Sequence, residues 1–329
     1  MELVKYQPAY DSQWDDFVIN HTRNGSIFTE RKFLSYHKDR FSDASLMFYK
    51  SNKLIAVFPA AVQKSDSVPG IVSHPGSSSG GLIYEKYCKT RDILIILELL
   101  ISYYRDQEYN FIELTINEPI FDYPSSDELR FLLWHRGFKL KTKELSSCIP
   151  LDSNRQWLKF GRKKNKTDIN RLVREGFAVE MSDDIKEIYP VIYDNLKIKY
   201  NKEPTHSLKE LRLLKSLYPD RIHFWKVHKD SRIAAVTVLF LANKSTVHDF
   251  YIAENSDFAN INIMPLLFYT MFDHYYQTGF RWFNFGISTR KDWIKWGILE
   301  FKERLGGRAS IRESYILQDL KNYSQYNFY

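Results

Sequence analysis

At 329 residues the chain exceeds what one compact core fills, so two domains are expected. Hydrophobic residues at 44% against 26% charged exclude a disordered chain, and a net charge of +7 admits an anionic partner without requiring one. Two cysteines, Cys88 and Cys148, are too few for a disulfide scaffold or a Cys-rich zinc site, and no metal is expected.

Met1 to Tyr10 lacks the apolar run of a signal peptide. The most apolar stretch, Ile93 to Ile101, is short and interrupted by Glu98, too little to span a bilayer. A soluble cytoplasmic protein with no transmembrane segment is the expectation.

In chain order, helical segments are expected near 11–20 and 29–40, followed by strands near 44–51, 53–63 and 80–85. A helix near 90–107 and a strand near 110–117 complete the first half. A short strand from Glu144 to Ile149 ends at Pro150, where the boundary is placed, giving domains 1–150 and 151–329. The second half reads as helices near 184–200 and 207–217, then strands near 222–229, 232–241 and 245–253. A helix near 262–278 and a strand near 281–287 follow.

The two halves repeat each other. Lys53-Leu54-Ile55-Ala56-Val57 aligns with Arg232-Ile233-Ala234-Ala235-Val236, each the second strand of a hairpin that opens on an aromatic strand. Tyr103 to Leu114 aligns with His274 to Phe285, each the end of an amphipathic helix, a polar turn and an aromatic-rich strand. The extra length of the first half falls in a Gly/Pro/Ser-rich loop, Ser65 to Ser79. Antiparallel hairpins followed by one β-α-β crossover predict α/β domains, each a mixed sheet flanked by helices.

That element order is similar to the core of the GNAT acyltransferases. Thr278-Gly279-Phe280-Arg281-Trp282-Phe283-Asn284-Phe285-Gly286, then Gly297 through Phe301-Lys302-Glu303-Arg304-Leu305-Gly306-Gly307, resembles the Fem-type branch with tandem GNAT-like domains. In that branch a strand ends in an Asn/Asp-Phe-Gly-like turn, and a later helix ends in Phe-Lys-x-x-apolar-Gly. The basic segment Lys163-Lys164-Asn165-Lys166 before Glu175-Gly176-Phe177 adds to the likeness. The resemblance implies acyl transfer to an amine on a cell-envelope or sugar-linked precursor. The donor is an acyl thioester such as acyl-CoA, or an aminoacyl-tRNA as in Fem-type enzymes. Both routes pass through a tetrahedral oxyanion.

The resemblance makes Lys302, paired with Phe301, the residue facing that oxyanion. It places the acyl donor where the central strand, 246–252, meets the next helix, with Asn262 as the expected N-cap. The family's glycine-bearing pyrophosphate loop is replaced by Ser256-Asp257-Phe258-Ala259-Asn260, a departure that weighs against conventional coenzyme A binding. Strict alternation on the strand puts Val247, Asp249 and Tyr251 on one face and His248 and Phe250 on the other. His248 or Asp249 is the candidate acceptor of the amine's proton, and Tyr251 and Asn284 the candidate lining of the acceptor cleft. Lys163 and Lys164, in a run from Arg155 to Arg174 whose one acid is Asp168, suit phosphates or tRNA. A competing reading keeps the fold without the chemistry: a degenerate GNAT pair that binds a glycan or RNA.

Overall fold

The computed structural model describes residues 1–63, 69–122, 124, 127–290 and 293–324. The chain forms two compact units, one of residues 1–144 with 311–329 and one of residues 145–310. The last strand, Arg308–Gln318, thus carries the chain back to the first unit, whereas the sequence assigned everything beyond 150 to the second domain.

The internal repeat is present in the backbone. In the first unit Leu46–Lys50 and Lys53–Phe58 form an antiparallel hairpin whose two turn residues, Ser51 and Asn52, both have positive φ. In the second, Ile222–Lys229 and Arg232–Leu241 form its counterpart, with Asp230 at positive φ in the turn. Each hairpin carries a bulge at the same place. The register shifts between Phe48 and Tyr49 in one and between Val227 and His228 in the other, leaving Ile55 and Ala234 as the extra residues. These are the positions the sequence alignment had matched. A shared bulge re-aims every later side chain in the same way in both units.

Each unit also has one parallel strand pair joined through a helix. In the first, Gly70–Ser73 pairs in parallel with Phe111–Ile116, and Thr90–Asp106 is the crossover. Ile93, Ile96, Leu97, Leu100, Ile101 and Tyr104 form the buried stripe of that helix, at the spacing a 3.6-residue period demands. In the second, Thr246–Glu254 pairs in parallel with Trp282–Ile287 through the helix Met264–Gln277. Its core is dense in rings: Phe268, Phe272, Phe283 and Phe285 meet edge-on or tilted at 5.0–6.0 Å between centroids.

Three expectations for the first half need correction. The strand expected over 53–63 stops at Phe58, because Pro59 has no N–H for the ladder, and Ala61–Gln63 joins Ser42–Asp43 and Gly70–Ser73 instead. Gly70–Ser73 lies inside the segment read as a loop, whose residues 65–68 fall outside the described residues. The helix expected over 29–40 is a series of short turns: Ile27–Thr29, Arg31–Leu34 and Ser35–Arg40.

Candidate active site

In the second unit the parallel pair is short. Thr246, Val247 and His248 match Trp282, Phe283 and Asn284, and pairing ends there. The cause is local. Asn284, fully buried, accepts the backbone N–H of Gly286 on its Oδ1 at 2.6 Å, an Asx turn that bends the strand just past the last pair. Gly286 sits at φ +71, a conformation that costs a side-chain-bearing residue about 1–2 kcal/mol. The His248 ring meets the same Asn284 oxygen through Nδ1 at 3.0 Å. Asn284 and His248 therefore hold the point where the strands part.

The turn presents two backbone carbonyls, and Lys302 takes both. Its Nζ donates to Gly286 O at 2.7 Å and Ile287 O at 2.9 Å. Lys302 is 2% exposed, near the end of the helix Trp296–Arg304, and the helix closes over it when Gly307 donates to the Lys302 carbonyl at 2.9 Å. A helix lysine would ordinarily be solvated. Here the ammonium is withdrawn from water, which is tolerable only with fixed acceptors around it.

Asp249 is near enough to feel the Lys302 charge. Thr237 Oγ1 donates to its Oδ1 at 2.8 Å, while Oδ2 is buried with no hydrogen-bond partner. Burial pushes the carboxyl well above the ordinary carboxylate range, and the Thr237 hydroxyl and the Lys302 charge pull the other way. Asp249 does not share a face with Tyr251, as strict alternation required. Leu239 faces Asp249 and Val238 faces Tyr251, so Phe250 is an extra residue and the alternation resets. Asp249 thus shares its face with Ile252, while Tyr251 turns the other way and meets His206, from its backbone N at 3.0 Å and with Nδ1 at 3.1 Å. Burial pushes the Tyr251 phenol up to about 12.

A cavity of about 880 Å³ opens at this point. Lys302, Phe301, Asn262 and Lys164 line it; the other expected site residues, Lys163, His248, Asp249, Tyr251 and Asn284, are not among its lining. Asn262 does not cap the helix Met264–Gln277: the N-cap is Ile263, and Asn262 Nδ2 donates to Asp168 Oδ2 at 2.8 Å. Asp168 is thereby drawn inward with Asn165, which donates to Tyr269 Oη and to Arg304 O. The basic helix Lys164–Arg174 packs these two polar residues and Leu172 inward and leaves its cations outside.

Six cationic side chains line the cavity, Arg162, Lys164, Lys199, Lys295, Lys302 and Arg304, against the carboxylates of Asp168 and Glu254. Lys199 lies 3.8 Å from Glu254. Among the described residues Arg162, Lys164, Lys295 and Arg304 have no acidic partner. Sequence reasoning missed Lys295 and Arg304, whose spacing carries no signal, and Thr237, which sits in an apolar strand with nothing to mark it.

Residues 162–303 match the family model described as an acetyltransferase (GNAT) domain. The whole chain is similar in structure to FemX, at 13% identity and TM-score 0.72, covering 95% of this chain and 97% of that one. It is similar to L-PGS from Bacillus licheniformis at 13% identity and TM-score 0.57, covering 97% and 94%. A tandem GNAT protein from the clavulanic acid biosynthesis pathway matches at 10% identity and TM-score 0.53, covering 97% and 98%. At such identities the likeness is one of fold. No curated protein matches in sequence. No described helix is long and apolar enough to cross a membrane.

Proposed function

We propose, from the GNAT-domain match over residues 162–303 and the fold shared with FemX and a tandem GNAT protein, that the second unit moves an acyl group onto an amine of a cell-envelope or other sugar-linked precursor. One observation carries the reading: a buried lysine whose Nζ is fixed by two carbonyls is among the residues that line a large cavity. The amine attacks the acyl carbonyl, the C–N bond forms, and the carbonyl oxygen becomes an oxyanion beside the Lys302 ammonium. A pre-fixed charge needs no reorganisation as the oxyanion develops. Collapse breaks the bond to the leaving group, a thiolate for a thioester donor. The amine's proton passes to solvent, since His248 is engaged with Asn284 through Nδ1 and is not among the cavity's lining. Asp249, which burial pushes toward its neutral form and which is not among the cavity's lining, is not assigned the role of base.

The donor is phosphate-bearing on this reading, because Arg162, Lys164, Lys295 and Arg304 line the cavity and none of the four is paired with an acid among the described residues. An acyl-CoA thioester fits the volume and the charge. Aminoacyl-tRNA is the second reading, favoured by the 256–260 segment, which offers no glycine for close approach to a pyrophosphate. Equilibrium binding of acetyl-CoA and of aminoacyl-tRNA to the parent and to Lys164→Glu separates them. The true donor binds about 5- to 10-fold more weakly to the variant, with the gap narrowing as salt rises. Failure of both donors to bind, with RNA or glycan binding intact, would instead establish the non-catalytic reading.

A further inference from the structure

The mouth of this cavity has an unusual surface. Trp296 is 62% exposed and Tyr200 is 51% exposed, and both line the opening beside Lys295 and Lys199. Immediately before Lys295 and Trp296 in the chain, on the strand Trp293–Ile294, Trp293 is 80% exposed and Ile294 is 37% exposed. Indole is costly to leave in water, and scattered single apolar residues are ordinary, but a tryptophan and a tyrosine at one opening, with a second exposed tryptophan and an isoleucine two to three residues before the first, are not.

We propose that this rim docks the second unit onto an anionic phospholipid surface, so that the cavity opens toward the bilayer interface. Tryptophan and tyrosine suit that zone because each has an apolar body and one polar atom, and lysine and arginine beside them meet the lipid phosphates. Charge complementarity is supplied by Lys199, Lys295 and Arg304 at the same opening and by the net charge of +7. Single-stranded RNA also takes aromatic and basic groups, through base stacking. Ile294, and Ile198 at 68% exposure on the last turn of the helix that bears Tyr200, have no π face to offer a base and gain only from apolar surroundings. The proposal shares Lys295 and Arg304 with the donor reading, but its apolar residues Trp293, Ile294 and Trp296 belong to neither the donor reading nor the chemistry at Lys302, and the test is made through them.

The test is cosedimentation of the full chain with vesicles of phosphatidylglycerol and phosphatidylcholine, and with phosphatidylcholine alone, at about 0.1 M salt. Brominated acyl chains report whether indole enters the interface. The parent binds the anionic vesicles and part of its fluorescence is quenched. Trp293→Ser with Ile294→Ser lowers the partition about tenfold or more and removes that quenching, with an unchanged melting temperature showing that the fold persists. Trp296→Ser alone gives the same direction. Binding without quenching, or binding that the variants leave intact, overturns the proposal. So does an RNA oligonucleotide that binds through these residues when vesicles do not, or self-association without lipid that the variants abolish.

Discussion

His74 shows how far a single residue's surroundings set its chemistry. It is buried in the first unit, its ring stacked on His37 at 5.9 Å and its Nδ1 donating to Pro75 O at 2.7 Å. Burial lowers its pKa from the usual 6.5 to about 4, so the native state keeps it neutral where the unfolded chain would protonate it. Between those values the unfolded state binds more protons, and stability falls as pH drops through the window. In denaturant titrations from pH 7 to pH 4, His74→Gln should lose up to about 1.4 kcal/mol per pH unit of that slope. Identical slopes for parent and variant would mean that His74 titrates normally. His37 is shifted in the same direction, also by burial, and leaves a residual slope in both proteins.

At the scale of elements, the strand Trp282–Ile287 and the helix Trp296–Arg304 act together. Asn284 bends the strand at Gly286, the bend frees two carbonyls, and Lys302 from the helix occupies them. The motif was legible in the sequence as Asn284-Phe285-Gly286 and Phe301-Lys302, but its reason was not, since nothing in the spacing says that the two segments meet through backbone oxygens. Gly286→Ala places a Cβ at φ +71 and should cost about 1–2 kcal/mol in stability. A turn that relaxes also moves the Lys302 seat, so turnover should fall by more than the stability loss explains at a temperature where the variant is folded. Circular dichroism melting and initial rates on one preparation check both. Full activity in a destabilised variant would show that the turn serves the fold alone.

For the whole molecule, the tandem architecture was readable because each unit repeats a hairpin, a helix and an aromatic strand, and the alignment extends to the bulge at Ile55 and Ala234. What stayed hidden has physical causes. Gly70–Ser73 is four residues long and flanked by Pro69 and Pro75, so its composition reads as loop while its parallel partner makes it a strand. The return of Arg308–Gln318 to the first unit depends on pairings such as Tyr315 with Leu114, a contact across the length of the chain that no local pattern encodes. The bulge at Phe250 moved Asp249 off the face of Tyr251, because one extra residue inverts an alternation of period two. The cations of the cavity come from three separate segments, 162–164, 199 and 295–304, so their convergence is a property of the fold, and only the run from Arg155 to Arg174 stood out.

The central claim is that Lys302 faces the developing oxyanion, and steady-state kinetics of Lys302→Met test it most directly once a donor is in hand. Methionine keeps most of the stem's packing and removes the charge. A charge that is met only in the transition state predicts a fall in kcat of about 10²–10³, with donor KM little changed. Lys302→Arg should restore little of it, since a planar guanidinium does not fit where a compact ammonium bonds two carbonyls. A folded Lys302→Met protein with near-parental kcat would contradict the account, leaving the tandem fold in place and Lys302 a purely structural residue.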